Sequence, residues 1–165
     1  MGHHGARQLS PLLPRRLIKR DRQGGYTLHL KADDRAVLRQ LVPQFNELLD
    51  NPDQPVLWRL FPPAYSETAH AEHQEEYRRL MQEDLVARLR EEFDLLGSTA
   101  DAEHLTEEQL LAWTRALNSV RLVLGTVLDI QEGDEDRRPD TAEESLYHWL
   151  TYLQGEAIDA LSGEL

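Results

Sequence analysis

Apolar residues recur every three or four positions along most of this chain, and in two short stretches near its start they alternate instead. Leu110, Trp113, Leu117, Val120, Leu124 and Val127 follow one another at spacings of 3, 4, 3, 4 and 3, which is the stripe of a packed helix. Leu111 and Leu122 widen it on one side, Ala116 and Val123 on the other. A helix apolar nearly all round is a central one. Thr106, with Gln109 three residues on, is a capping box that starts it, and it ends near Asp129.

Four further helices are predicted. Val37, Leu38, Leu41, Phe45, Leu48 and Leu49 form the stripe of a helix over 33–50, with Asp33 as N-cap and Pro43 kinking or splitting it. Asn51-Pro52 ends it. Residues 54–60 read as a short helix stopped by Pro62-Pro63. Over 66–96 the apolar residues Tyr77, Met81, Leu85, Leu89 and Phe93 step by four. That stripe winds about 40° per step around a long helix, so its two halves should meet different neighbours. Met81 is expected to be shielded there, and Gly97 lies just beyond the end. The last helix, 141–161, turns Leu146, Trp149, Leu150, Leu153, Ala157 and Leu161 inward.

The alternating stretches lie in residues 17–31, around Gln23-Gly24-Gly25, a hairpin signal. A three-residue loop pairs Arg22 with Tyr26, Arg20 with Leu28 and Ile18 with Leu30. It puts Ile18, Tyr26, Leu28 and Leu30 on one face. Residues 1–14 show little periodicity and read as a mobile arm. The predicted fold is therefore mostly α, a compact bundle of about five helices with an N-terminal β-hairpin, forming one domain over 15–165.

One residue breaks the pattern of the central helix. Arg121 projects about 40° from Leu117, at roughly 100° per residue, so it falls inside the apolar stripe. A buried guanidinium needs a partner. Glu76 and Asp84 on the long helix are the candidates for a buried ion pair. Gly125 lies one turn further, where a glycine costs about 1 kcal/mol against alanine. Close approach of another helix or an aromatic side chain would compensate. Asn118, Arg121 and Gly125 share one flank of the helix and could form an anion-accepting notch, with Arg59 as a second cation. Arg59 and Tyr65, around the Pro62-Pro63 turn and beside Trp58, are candidate interface anchors, since Arg, Tyr and Trp dominate hot spots.

Composition narrows the chemistry. In 165 residues there is no cysteine, which excludes disulfides, thiolate catalysis and thiol-based sensing in this chain. No apolar run approaches the roughly 20 residues of a membrane helix, and residues 1–14 lack the apolar core of a signal peptide. A cytoplasmic protein with no membrane contact is expected. His70 and His73, beside Glu67 and Glu76, have a spacing that can hold a metal, but they read as solvated surface residues, and no metal or cofactor is expected. No catalytic constellation emerges, so an enzyme is not expected.

Net charge is −12, unevenly spread. Residues 1–39 carry nine basic and three acidic residues, a balance of +6; the rest carries nine and 27, a balance of −18. The acidic part repels nucleic acid, so only the basic hairpin could touch phosphate, and weak or no duplex binding is expected.

Four blocks in order, Arg59-Leu-Phe-Pro-Pro-Ala-Tyr65, Glu76-Tyr-Arg-Arg-Leu80 with Asp84-Leu85, Trp113 with Leu117-Asn118 and Arg121-Leu-Val-Leu-Gly-Thr126, and Leu146-Tyr-His-Trp-Leu150 with Leu153-Gln154, resemble an actinobacterial domain-of-unknown-function family. That family has more recently been described as the AosR type of oxidative-stress transcriptional regulator. The resemblance runs over roughly residues 15–162. Two positions depart from it: Ser119, where an acidic residue is expected, and Val127, where a basic one is; both are placed outward. The resemblance implies a regulatory protein acting through contact with another protein. The alternatives are a DNA-contacting regulator using the basic hairpin and an anion- or small-molecule-binding domain around Arg121.

Overall fold

The computed structural model describes residues 16–61, 71–130 and 138–163. The proposed arm 1–14, Tyr65, Pro62-Pro63, Glu67 and His70 lie outside the described residues. The elements run β1 (Ile18–Arg20), β2 (Tyr26–Leu28), α1 (Ala32–Leu49), a 3-10 turn (Pro55–Leu57), α2 (Ala71–Thr99), β3 (His104–Leu105), α3 (Glu107–Val127) and α4 (Ala142–Ser162). The described residues thus hold four α-helices, not about five. The segment expected as a helix over 54–60 makes only a 3-10 turn, with Pro55 at its first position and Leu57 buried.

The hairpin forms in a different register. Ile18 pairs with Leu28, Lys19 with Thr27 and Arg20 with Tyr26, two residues away from the expected pairing. Asp21 causes the shift. Its Oδ1 accepts from the backbone N–H of Gln23 at 2.8 Å and of Gly25 at 2.9 Å, and its own N–H donates to the Gly25 carbonyl at 2.9 Å. The loop closes on the aspartate side chain, a local bond that competes with the ladder. A slip of two preserves the faces, so Ile18, Tyr26 and Leu28 are still buried together. A third strand, unforeseen because it has two residues, pairs Leu105 with Tyr26 and His104 with Thr27.

α1 begins at Ala32 with Lys31 as N-cap and no side-chain cap bond, so Asp33 lies in its first turn and is not the cap. The helix runs unbroken through Pro43. Pro43 and Arg39, the residue whose carbonyl loses its helical donor, are both exposed, which limits what that proline costs. Leu38, Leu41, Phe45 and Leu49 are buried, and Phe45 stacks on Phe93 of α2 with ring centroids 4.0 Å apart.

α2 ends at Thr99, so Gly97 lies inside it. A Cβ at Gly97 would meet Val42 Cγ2 at 3.1 Å; the glycine lets α1 approach. Trp113, fully buried, donates from Nε1 to Thr99 Oγ1 at 2.7 Å, and Thr99 in turn donates to the Leu95 carbonyl at 2.6 Å. α3 carries the expected capping box of Thr106 and Gln109. Ser119, expected outward, is buried and donates to the Arg115 carbonyl at 3.1 Å, while Val127 is exposed. No helix among the described residues is long and apolar enough to cross a membrane.

One arginine ties these pieces together. Arg35 of α1 donates from Nε to the Leu30 carbonyl at 3.2 Å, from Nη1 to Ala100 at 2.9 Å and Ala102 at 2.6 Å, and from Nη2 to Leu28 at 3.4 Å. Arg35→Leu strands these carbonyls and should lower unfolding stability by about 3 kcal/mol in denaturant titration. Arg35→Lys, lacking the planar fork, should recover less than half of that.

Glu92 of α2 is 9% exposed. Burial raises its carboxyl above the usual value, with Arg115 and Arg88 opposing. A carboxyl whose pKa is raised on folding binds more protons folded than unfolded, so stability falls as pH rises through that window. Glu92→Gln should therefore raise the melting temperature by about 2 °C at pH 7. The gain should vanish below the usual glutamate range; calorimetric melts across pH 3–8 check it.

Candidate functional site

Among the described residues Arg121 pairs with no carboxylate. Glu76 and Asp84 are both exposed on α2, and Arg121 turns to α4. Its Nε donates to Thr151 Oγ1 at 2.9 Å and its Nη1 to Oε1 of the buried Gln154. Its Cζ lies 5.7 Å from the Tyr147 ring centroid. The residue is half-buried, at the edge of the apolar stripe where α3 meets α4. A guanidinium there keeps one side wet, so neutral oxygens suffice as partners and no buried counter-charge is required. The position of Arg121 along α3 sets its direction relative to that helix but not which neighbour lies there.

α4 supplied a signal that sequence reasoning missed. Gln154 follows Leu150 by four and Leu153 by one, so it too sits inside an apolar stripe. Two polar anomalies on adjacent helices answer each other.

The expected close approach at Gly125 is present. A Cβ at Gly125 would meet Arg59 Nη1 at 3.3 Å and Tyr147 Cε2 at 3.6 Å. The absent side chain makes room for the arginine expected as a second cation, while an aromatic of α4 lies at ordinary contact distance. Arg59 is exposed and lies 5.5 Å over the ring of Trp58. Arg59, Arg121, Gly125 and Tyr147 therefore come together from the 3-10 turn, α3 and α4. Among the described residues no carboxylate forms an ion pair with either arginine. Asn118 is exposed one turn before Arg121.

A second surface lies on α2. Its first half contributes Tyr77, 65% exposed, Leu80, 56%, and Met81, 51%; Trp58, 52%, is the other large exposed side chain near the 3-10 turn. Met81 is thus open to solvent and not shielded as expected. The stripe winds as anticipated, but only Leu89, Phe93 and Leu96 are fully in the core; Leu85 packs half-buried against it, and Tyr77 and Met81 face water. Between α2 and the 3-10 turn runs a groove of about 270 Å³, floored by Leu60, Phe61, Met81 and Leu85 and edged by Arg78, Gln82, Asp84 and Arg88. Arg78 donates to Glu75 at 2.8 and 3.2 Å, and that bond holds the Glu75 carboxyl below its usual value. His73 and Glu76 are exposed on the same helix.

The basic hairpin is partly engaged with the acidic body. Arg16 approaches Asp159 of α4 at 3.9 Å. Arg20 lies 5.9 Å from the Tyr26 ring, and the Leu17 N–H donates to Glu156 at 3.1 Å. Further along, Arg39 pairs with Asp101. Lys19 and Arg22 are exposed.

No solved structure matches the chain. The oxidative stress regulator AosR of Mycobacterium tuberculosis (strain ATCC 25618 / H37Rv) is 38% identical over 63 residues, 36% of this chain and 29% of that protein. The putative oxidative stress regulator AosR of Mycobacterium leprae (strain TN) is 35% identical over 72 residues, 41% of this chain and 33% of that protein. The chain thus spans about a third of the length of the curated relatives it matches. A family model described as a domain of unknown function, DUF2017, matches residues 15–161, nearly the whole chain, and the protein belongs to that family.

Proposed function

We propose that this protein is a non-enzymatic, cytoplasmic regulator that works by binding another protein, in a stress response of the kind its relatives are named for. The observation that carries the reading is the apolar face of Tyr77, Leu80 and Met81, extended by the groove at Leu60 and Phe61. Soluble proteins rarely leave large apolar groups clustered on one face without a use, and such patches mark contact surfaces. Tyr77 and Trp58 are of the residue types that anchor interfaces, and Arg78 and Arg88 supply a charged rim. Arg59, one of the anchors expected from the sequence, belongs to the neighbouring turn segment; Tyr65, the other, lies outside the described residues. Cysteine-free, the chain would receive an oxidant signal through its partner and not through a thiol of its own.

Leu80→Glu should leave the melting temperature within a few degrees, because Leu80 is already exposed, while weakening capture of a host partner by the immobilised protein at least tenfold. Capture that survives Leu80→Glu and Tyr77→Ala together would remove this face from the proposal.

Nucleic acid is not the expected partner. Arg16 is directed at Asp159 and Arg39 at Asp101; Lys19, Arg20, Arg22 and Lys31 stay exposed, but the acidic body opposes the approach of a polyanion. A fluorescence titration with duplex DNA at 0.15 M salt should give no affinity below 10 µM, an order-of-magnitude bound on weak non-specific binding; sub-micromolar binding would promote the hairpin to the functional surface.

A further inference from the structure

We propose that the cluster of Arg59, Arg121, Gly125 and Tyr147 binds a phosphate group, free or esterified, as a ligand site separate from the apolar face of α2. The first observation is the pair of cations. Arg59 Nη1 and Tyr147 Cε2 lie 3.3 and 3.6 Å from the same point, the place a Gly125 Cβ would occupy. Arg121 lies 5.7 Å from the same tyrosine ring. Two guanidiniums thus border one tyrosine, in a chain of net charge −12, and no described carboxylate pairs with either. Two cations near one tyrosine, with no described carboxylate paired to either, raise the local positive potential, and a bound anion lowers it.

The second observation is donor geometry. A guanidinium has five N–H donors. Arg121 spends one from Nε on Thr151 and one from Nη1 on Gln154, and these two bonds fix its plane while three donors stay available. Arg59 has no hydrogen bond to a described acceptor and is oriented by Trp58, 5.5 Å away. One held and one movable fork together offer more donors than a single carboxylate has oxygens to accept, and they match an oxyanion with three terminal oxygens. Their combined charge of +2 suits a phosphate monoester, which carries about −1.5 to −2 at pH 7.

The third observation is Gly125 itself. Mid-helix glycine is unfavourable, and a Cβ here would push against the far end of the Arg59 side chain, not against backbone. The helix would tolerate alanine; the Arg59 guanidinium would have to give way by a few tenths of an ångström. Glycine at this position serves the placement of that cation.

The test is calorimetric titration of the full chain at constant ionic strength with sodium phosphate, O-phospho-L-serine and sodium acetate. Saturable one-to-one binding of phosphate or phosphoserine, with acetate at least tenfold weaker, is expected. Tighter binding of phosphoserine would assign the group to a larger molecule, and tighter binding of inorganic phosphate to the free ion. Arg59→Gln should weaken binding about tenfold, the loss of one charge-assisted hydrogen bond. Gly125→Ala should weaken binding while the ligand-free melting temperature holds or rises, so that stability and affinity part company. Lys19→Gln, an exposed cation elsewhere, and Leu80→Glu, on the apolar face of α2, should leave phosphate affinity unchanged. Equal affinity for acetate and phosphate, or full phosphate affinity in both Arg59→Gln and Gly125→Ala, would overturn the proposal.

Discussion

Four backbone carbonyls converge on the guanidinium of Arg35, and the rest of the architecture is arranged around that convergence. Leu28 and Leu30 belong to the end of β2 and the residues that leave it; Ala100 and Ala102 belong to the turn between α2 and β3. A two-residue strand and a hairpin of three-residue strands have too few ladder bonds to persist alone in water. They persist here because α1 delivers a rigid multiple donor to the carbonyls at the sheet's margin. Arg39–Asp101 and Arg90, which donates to the Asn46 carbonyl at 3.2 Å and to Asp50 at 2.8 Å, continue the same seam between α1 and α2. The apolar core below supplies most of the driving force, but the arginines decide which polar edges meet.

That division explains what could be read from the residues. The helical stripes name the core well: Leu38, Leu41, Phe45 and Leu49 of α1 and Leu110, Trp113, Leu117 and Val120 of α3 are buried as their spacing requires. The same spacing says nothing about which charged side chain reaches across a gap. Arg35 reads as one of nine cations in a basic segment, and only the fold reveals four carbonyls in its reach. The hairpin shows the limit from another side. Its buried face is legible because faces survive a two-residue slip, whereas its register rests on Asp21, whose side chain prefers the N–H groups of its own loop.

The candidate sites were legible to different depths. Arg121 announces itself by standing in an apolar stripe, and Gly125 by standing in a helix at all. Their neighbours Arg59 and Tyr147 come from segments about 60 residues before and 20 after. No periodicity within α3 could supply Tyr147, although Arg59 was foreseeable as a cation. The apolar face of α2 was misread for a physical reason. A stripe stepping by four is the same whether it is covered by another helix or by nothing, and only the second half of α2 lies against α1 and α3.

α2 consequently has two thermodynamic characters in one continuous helix. From Leu89 onward its turns are anchored in the core through Leu89, Phe93 and Leu96, and should open at a cost near that of the whole domain. From Glu72 to Asp84 almost every residue is exposed, and the turns are held by intrinsic propensity, by Arg78–Glu75 and by Gln82 donating to Asp53 at 3.1 Å. A helical segment of that length is marginal by itself in water, though here it grows from a nucleus already formed. Its amides should exchange with solvent orders of magnitude faster than those beyond Leu89. The molecule thus presents its apolar surface on a segment whose order is cheap to lose, and whatever covers that surface will also lengthen the lifetime of the helix beneath it.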